Sequence, residues 1–201
     1  MMSKVLYIKA NAKPEGASRT FKISDSFIEA YKESHPDDEV ITLDLYKENI
    51  GFLSEDDIAH HNVEPGAHRD HPVLKYAYQF LEADKYVFSA PFWNLSFPAI
   101  LKAYLDYVMV SGITFKYTSQ GPVGLCHGKK AIHFVTRGGE YSEPPLSNFE
   151  MGDRYLRIIL GFLGIQDFKT FAVERIDRSA TDTAILVAEK SQEASELAID
   201  F

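Results

Sequence analysis

The sequence predicts an α/β fold, a doubly wound five-stranded parallel sheet with helices on both faces. Short apolar or β-branched runs alternate with longer segments of helical period in the order βαβαβαβαβα, and parallel strands require such crossovers. At 201 residues, 45% hydrophobic and 25% charged, the chain has the size and composition of one α/β unit with a sizeable core. It contains no repeat, low-complexity tract or Pro/Gly/Ser linker, so residues 1–201 are read as a single domain.

Val5 to Ile8 is the first apolar run; Asn11, Pro14 and Gly16 follow, so a buried strand enters a loop. From Ser18 the spacing turns helical, with Ile23, Phe27 and Tyr31 four residues apart, Ser18 or Thr20 placed to cap, and His35-Pro36 as the stop. Val40 to Leu45 reads as a second strand. Asp70 to Ala83 reads as a helix with Val73, Leu74, Ala77, Phe80 and Leu81 on one face, and residues 49–69 between them receive no assignment. Tyr86 to Ala90 is a third strand stopped by Pro91, and Pro98 opens a helix bearing Ile100, Leu101, Tyr104, Leu105 and Val108. Thr114 to Tyr117, the Gln120-Gly121-Pro122 turn and Val123 to Leu125 suggest a hairpin before a fourth strand, Ala131 to Thr136. Met151 to Leu163 is helical, Phe168 to Val173 is the fifth strand, and Ala180 to Ala198 is a final helix.

Twenty-one Lys and Arg against 29 Asp and Glu give a formal charge of −8, which opposes broad attachment to nucleic acid or anionic lipid and favours a small-molecule partner. The single cysteine, Cys126, permits no intramolecular disulfide and fits a reducing compartment. The apolar start is too short for a signal peptide, and Ile158 to Ile165 is far shorter than the roughly 20 residues that span a bilayer. A cytoplasmic protein with no membrane segment is expected.

Several familiar chemistries are absent. The chain has no Walker loop, no Gly-x-Gly-x-x-Gly after the first strand, no Gly-x-Ser-x-Gly elbow and no His-Glu-x-x-His helix. His60, His61, His68 and His71 crowd together, but their spacing fits no familiar metal site and a solvated loop accounts for them, so no metal is assigned. Cys126 and His127 look like a nucleophile and base, yet neighbours on a strand point to opposite faces.

In an open parallel sheet, ligands bind outside the carboxyl ends of the strands, where the strand order reverses. Three loops leave those ends. Asn11 to Thr20 offers the hydroxyls of Ser18 and Thr20, the guanidinium of Arg19 and helix-start N–H groups, which together suit a phosphate; helix capping alone also accounts for Ser18 and Thr20. Pro91-Phe92-Trp93-Asn94-Leu95 presents apolar and aromatic surface beside an amide, suiting a flat heteroaromatic ring, with core packing or an interface as the plainer reading. Thr136-Arg137-Gly138-Gly139 contains paired glycines that let backbone N–H groups approach a ring edge, as an ordinary turn also would. The conjunction describes a flavin mononucleotide (FMN) pocket better than any one loop does.

These segments also carry a resemblance. Ser3 to Lys9, Ser18-Arg19-Thr20, Pro91 to Leu95, Gly112 to Tyr117, Gly121-Pro122-x-Gly124-Leu125, Gly128 to Ala131, Thr136 to Gly139 and Leu160 to Ile165 cover nearly the whole chain in order. The set resembles the FMN-dependent NADH azoreductase and NADH:quinone oxidoreductase family. The resemblance implies a flavodoxin-like fold and a homodimer with two FMN sites at its interface. It also implies two-electron, ping-pong reduction of quinones and azo compounds by NADH or NADPH, the flavin rather than a side chain carrying the chemistry. The family's phosphate contacts fall on Ser18, Arg19 and Thr20, with Asn11 where the family often has a hydroxyl. Its ring contacts fall on Pro91, Phe92, Trp93, Asn94 and Leu95, where the family often has Met-Tyr-Asn-Phe, and on Thr136, Arg137, Gly138 and Gly139. Tyr117 and Phe162 are implied as walls of the substrate cavity, contributed by a partner subunit. The alternative in view is a non-enzymatic flavodoxin-like electron carrier.

Overall fold

The computed structural model describes residues 2–14, 16–177 and 179–201; Glu15 of the first candidate loop lies outside the described residues. In chain order the elements are β1 (Lys4–Lys9), α1 (Arg19–Ser34), β2 (Glu39–Asp44), α2 (Glu55–Ile58), α3 (Lys75–Glu82), β3 (Lys85–Ser89), α4 (Ala99–Val108), β4 (Phe115–Thr118), β5 (Gly121–Gly124), β6 (Lys130–Thr136), α5 (Gly152–Phe162), β7 (Asp167–Val173) and α6 (Ala180–Ala198). Five strands form one parallel sheet in the order β2-β1-β3-β6-β7, while β4 and β5 make a separate antiparallel hairpin. The expected doubly wound sheet is therefore present. The chain moves outward from β1 to β2 and then crosses to β3 on the other side, so the order reverses between β1 and β3.

Side-chain alternation along β1 explains why helices must cover both faces. Leu6 and Ile8 join Phe80, Leu101, Leu105, Leu156 and Leu160 in one core, against α3, α4 and α5. Val5 and Tyr7 point the other way and meet Phe27, Tyr31, Phe134 and Ala194, against α1 and α6. Both layers feed on the same strand, so a one-residue shift of register would exchange the two cores.

One helix is shorter than its sequence suggests. The pattern from Asp70 predicts an unbroken helix, whereas a 3₁₀ turn over Pro72–Leu74 precedes α3. Pro72 restricts the residue before it, and His71 is accordingly extended at φ −75° and ψ 125°. Residues 49–69 do contain structure. Ser54 and Asp57 form a reciprocal cap on α2, and the segment is stitched to the chain beyond α4 by Val63 N–H to Ser111 O (3.0 Å) and Ser111 N–H to His61 O (3.1 Å). Gly112, at φ 91°, is required there because a Cβ would stand 1.7 Å from the Val63 carbonyl oxygen. Among the described residues, no helix is long and apolar enough to cross a membrane.

Candidate functional site

A cleft of about 160 Å³ opens at the carboxyl edge of the sheet, beside the β1/β3 reversal, and draws its walls from four separate segments. Asn11, Lys13, Arg19 and Thr20 come from the loop between β1 and α1, and Pro91, Phe92 and Trp93 from the loop after β3. Thr136 ends β6, and Ile176 and Asp177 follow β7.

Ser18 caps α1: its hydroxyl oxygen accepts from Phe21 N–H at 3.1 Å and from the Asn11 amide at 2.9 Å. It is fully buried and shapes the cleft from behind. Asn11 keeps a second amide proton, and the first-turn N–H groups of Arg19 and Thr20 have no acceptor within the helix. The Thr20 and Thr136 hydroxyls lie 2.6 Å apart, joining the first loop to the third. Behind them, Ser24 meets Ser89 at 2.7 Å and Tyr7 at 2.6 Å, anchoring the first turns of α1 to two strands. Burial and the neighbouring Asp25 charge hold the Tyr7 hydroxyl far above its ordinary range, so Tyr7 stays neutral as a hydrogen-bonding post.

The second loop is a tight two-residue turn. Trp93 N–H donates to Ser96 O at 2.7 Å and Ser96 N–H to Trp93 O at 3.0 Å, with Asn94 (φ 49°) and Leu95 (φ 68°) both left-handed between them. Asn tolerates that conformation, but Leu pays for it sterically. The turn leaves Trp93 36% and Leu95 42% exposed. Its base is fixed by Phe92 N–H to Thr136 O (3.1 Å) and by Met151 N–H to Leu95 O (2.9 Å), the latter tying it to the start of α5.

In the third loop, Gly138 is a close-approach position: a Cβ there would stand 2.4 Å from Asp177 Oδ2. Gly139 faces the Tyr141 ring, which packs 4.5 Å from Phe92 between centroids. Arg137 points away from the cleft. Its guanidinium is buried beneath Phe92 (5.7 Å to the ring), donates to Glu174 at 3.1 Å and pairs with Glu150 at 3.4 Å. Glu150 in turn accepts from the N–H groups of Gly152, Asp153 and Arg154, capping α5. Burial opposes ionisation of Glu174, but the Tyr141 N–H, Arg137 and Ser142 outweigh it and hold the carboxyl below its usual range. Arg137 is thus a positioning residue for the second and third loops.

Tyr117 and Phe162 lie elsewhere in the same chain. α5 starts beside Leu95 at the carboxyl edge and its 11 residues run about 16 Å toward the other edge. There Cys126 N–H donates to Leu163 O at 2.8 Å, just before the chain enters β6. Phe162 packs on Phe115 (5.1 Å between centroids) and Phe115 on Tyr117 (5.4 Å), which is 72% exposed on the hairpin. The amino edge is therefore their place, opposite the cleft. Cys126 is buried, and burial pushes its thiol up to about 11, which removes thiolate chemistry at neutral pH. The His60 and His71 rings lie 4.0 Å apart, but among the described residues no group of three or more His, Cys, Asp or Glu side chains gathers as a metal site needs.

Sequence reasoning missed Ile176 and Asp177. The loop after the fifth strand also leaves a carboxyl end, and the topological rule that selected three loops selects a fourth. The donor set suits a phosphate-bearing ring: Arg19, Thr20 and Asn11, with helix-start N–H groups, share the cleft with Phe92 and Trp93. Gly138 and Gly139 stand beside it, closely faced by the Asp177 carboxylate and the Tyr141 ring.

Comparisons with known proteins agree with this geometry. The profile of a family described as having the flavodoxin-like fold matches residues 3–197. The FMN-dependent NADH:quinone oxidoreductase 2 of Clostridium acetobutylicum is 64% identical over 200 residues, covering 100% of both chains. The crystal structure of an azoreductase from Bacillus anthracis strain Sterne is similar with a TM-score of 0.86 at 36% identity, over 100% of both chains. An FMN-dependent NADH-azoreductase from Bacillus anthracis strain Ames Ancestor, solved in complex with FMN, is similar with a TM-score of 0.82 at 26% identity, over 98% of this chain and 100% of that one.

Proposed function

This chain belongs to the FMN-dependent NADH:quinone oxidoreductase family with the flavodoxin-like fold, and from that premise we propose that it binds FMN and transfers two electrons from NAD(P)H to quinones and azo compounds. The observation that carries the reading is the convergence of Arg19, Thr20, Phe92, Trp93 and Thr136, from three loops, on one cleft at the strand-order reversal.

FMN, when bound, supplies reversible two-electron redox chemistry. Arg19, Thr20 and Asn11 would hold the phosphate with charge-assisted hydrogen bonds, while Ser18 fixes the turn that aims them. Pro91 to Leu95 form the ring wall, with Asn94 as its polar member. Thr136 and the backbone of Gly138 and Gly139 would serve the ring edge, where N–H donors stabilise negative charge. Arg137 supports Phe92 from below. No side chain is assigned to bond making or breaking. One cleft at the strand ends would serve reductant and acceptor in turn, which is a ping-pong order.

We also propose a cytoplasmic homodimer. The cleft of one chain encloses about 160 Å³, below the roughly 300 Å³ at which small-molecule pockets begin, so a single copy leaves the ring uncovered. A second copy supplies the missing wall through its own Tyr117 and Phe162, which lie too far from the cleft of their own chain. An apolar hollow of about 330 Å³ between α4 and α5, lined by Phe97, Met151, Tyr155 and Ile158, continues the aromatic turn and suits such an interface.

The test is an absorbance spectrum and FMN titration of the purified protein, followed by NADH oxidation with a quinone or azo dye as acceptor. Flavin absorbance and acceptor-dependent NADH consumption are expected. Protein that neither carries nor takes up FMN would overturn the proposal.

A further inference from the structure

The Arg19 guanidinium already has an anionic partner. Its Nη1 donates to Asp177 Oδ1 at 2.9 Å and to the Ile176 carbonyl at 3.0 Å. Asp177 lines the same cleft as Thr20 and Thr136, and its second carboxylate oxygen lies only 2.4 Å from where a Cβ on Gly138 would stand. It thus reaches from the end of β7 across the mouth of the cleft to two of the three loops. Among the described residues lining the cleft, Asp177 is the acidic side chain, standing beside donors that suit a phosphate.

The pair is built to exchange. Its side chains are 38% and 75% exposed, so water screens it and the contact adds little net stability. A phosphomonoester carries more charge than a carboxylate, has three terminal acceptor oxygens, and meets the guanidinium together with the first-turn N–H groups of α1. We propose that Asp177 sets the affinity of the phosphate seat by competing for Arg19: the carboxylate holds the guanidinium in position until a phosphomonoester replaces it. This rests on the FMN reading above. Asp177 then lowers the affinity for any phosphorylated flavin and leaves the affinity for an unphosphorylated one unchanged. It makes loading reversible, at the seat alone.

Asp177→Asn tests this, because the amide keeps the size of the side chain and removes its charge. The full-length wild-type chain and the variant, stripped of flavin, are titrated with FMN and with riboflavin by flavin fluorescence quenching, and melting temperatures check folding. The FMN dissociation constant is expected to fall about three- to tenfold in the variant, with riboflavin binding and the melting temperature unchanged. Unchanged or weaker FMN binding in the variant overturns the inference, because Asp177 would then be a spectator or a support for Arg19. Equal tightening of both flavins overturns it too, since the effect would not lie at the phosphate. Wild-type protein that binds no FMN overturns the functional reading itself, an outcome separable from these by the wild-type titration alone.

Discussion

Leu95→Gly separates a residue kept for a ligand from one kept for the fold. Leu95 sits at φ 68° as the second central residue of the Trp93–Ser96 turn, a position that normally takes glycine. A left-handed Leu costs about 1–2 kcal/mol, which glycine relieves. Against this, glycine adds about 0.5–1 kcal/mol of unfolded-chain entropy. With Leu95 42% exposed, losing its partly buried side chain costs about 1 kcal/mol more, from about 1.5–3 kcal/mol for full burial. The contributions nearly cancel. Stability should change by under about 1 kcal/mol, or about 2–4 °C in melting temperature for a chain of this length; an ordinary buried Leu truncated to Ala loses about 2–5 kcal/mol. If the exposed part of the side chain covers the flavin ring, losing it removes about 1 kcal/mol of binding, roughly a fivefold weaker FMN affinity. Thermal melting and FMN titration of the same samples check both halves. A melting temperature lowered by 10 °C would show that Leu95 is a core residue, and unchanged FMN affinity would remove it from the ring wall.

Three further outcomes follow from the same geometry. Gly139→Val puts a side chain 3.0 Å from the edge of the Tyr141 ring, the end of a side chain that can turn aside; it should cost flavin occupancy more than stability, and full occupancy in the variant would take the third loop out of the site. Gly124→Ala would place a Cβ 2.1 Å from the Leu163 carbonyl carbon and 2.4 Å from Gly164 N, backbone that cannot turn aside, so chemical denaturation should show a loss of about 3 kcal/mol. Burial opposes the charge on Asp153, but the His133 ring, whose Nδ1 stands 3.5 Å away, the Thr170 hydroxyl and the charge of Arg157 hold its carboxyl at about 2. The folded value is depressed, so this stability exists above the unfolded carboxyl value near 4 and is lost as pH falls from about 4 to 2. Discounted for partial exposure, it is about 1–2 kcal/mol; Asp153→Asn should lose that much at pH 7, with the gap to wild type closing across that window in acid-denaturation curves.

Much of the architecture can be read along the chain because local pattern and tertiary fate coincide. Val5 to Ile8 is apolar on both faces, which only a strand between two helix layers satisfies, and Ser18 is placed where α1 needs a cap. The helix expected from Asp70 overran its start because Pro72 outweighed the apolar period. Residues 49–69 stayed unassigned because long-range partners hold them: His61 and Val63 bond to Ser111.

The candidate site divides the same way. Residue type and position after a strand are properties of the chain, so Arg19, Thr20, Phe92, Trp93 and Thr136 can be grouped without coordinates, and they do line one cleft. Direction and distance are not. The structure turned Arg137 under Phe92 toward Glu150 and Glu174, and carried Tyr117 and Phe162 to the far edge along α5. It also brought Asp177 across 158 positions to Arg19. Local sequence determines which groups leave the carboxyl ends of the strands; only the crossovers, by setting which ends stand side by side, decide which of those groups meet.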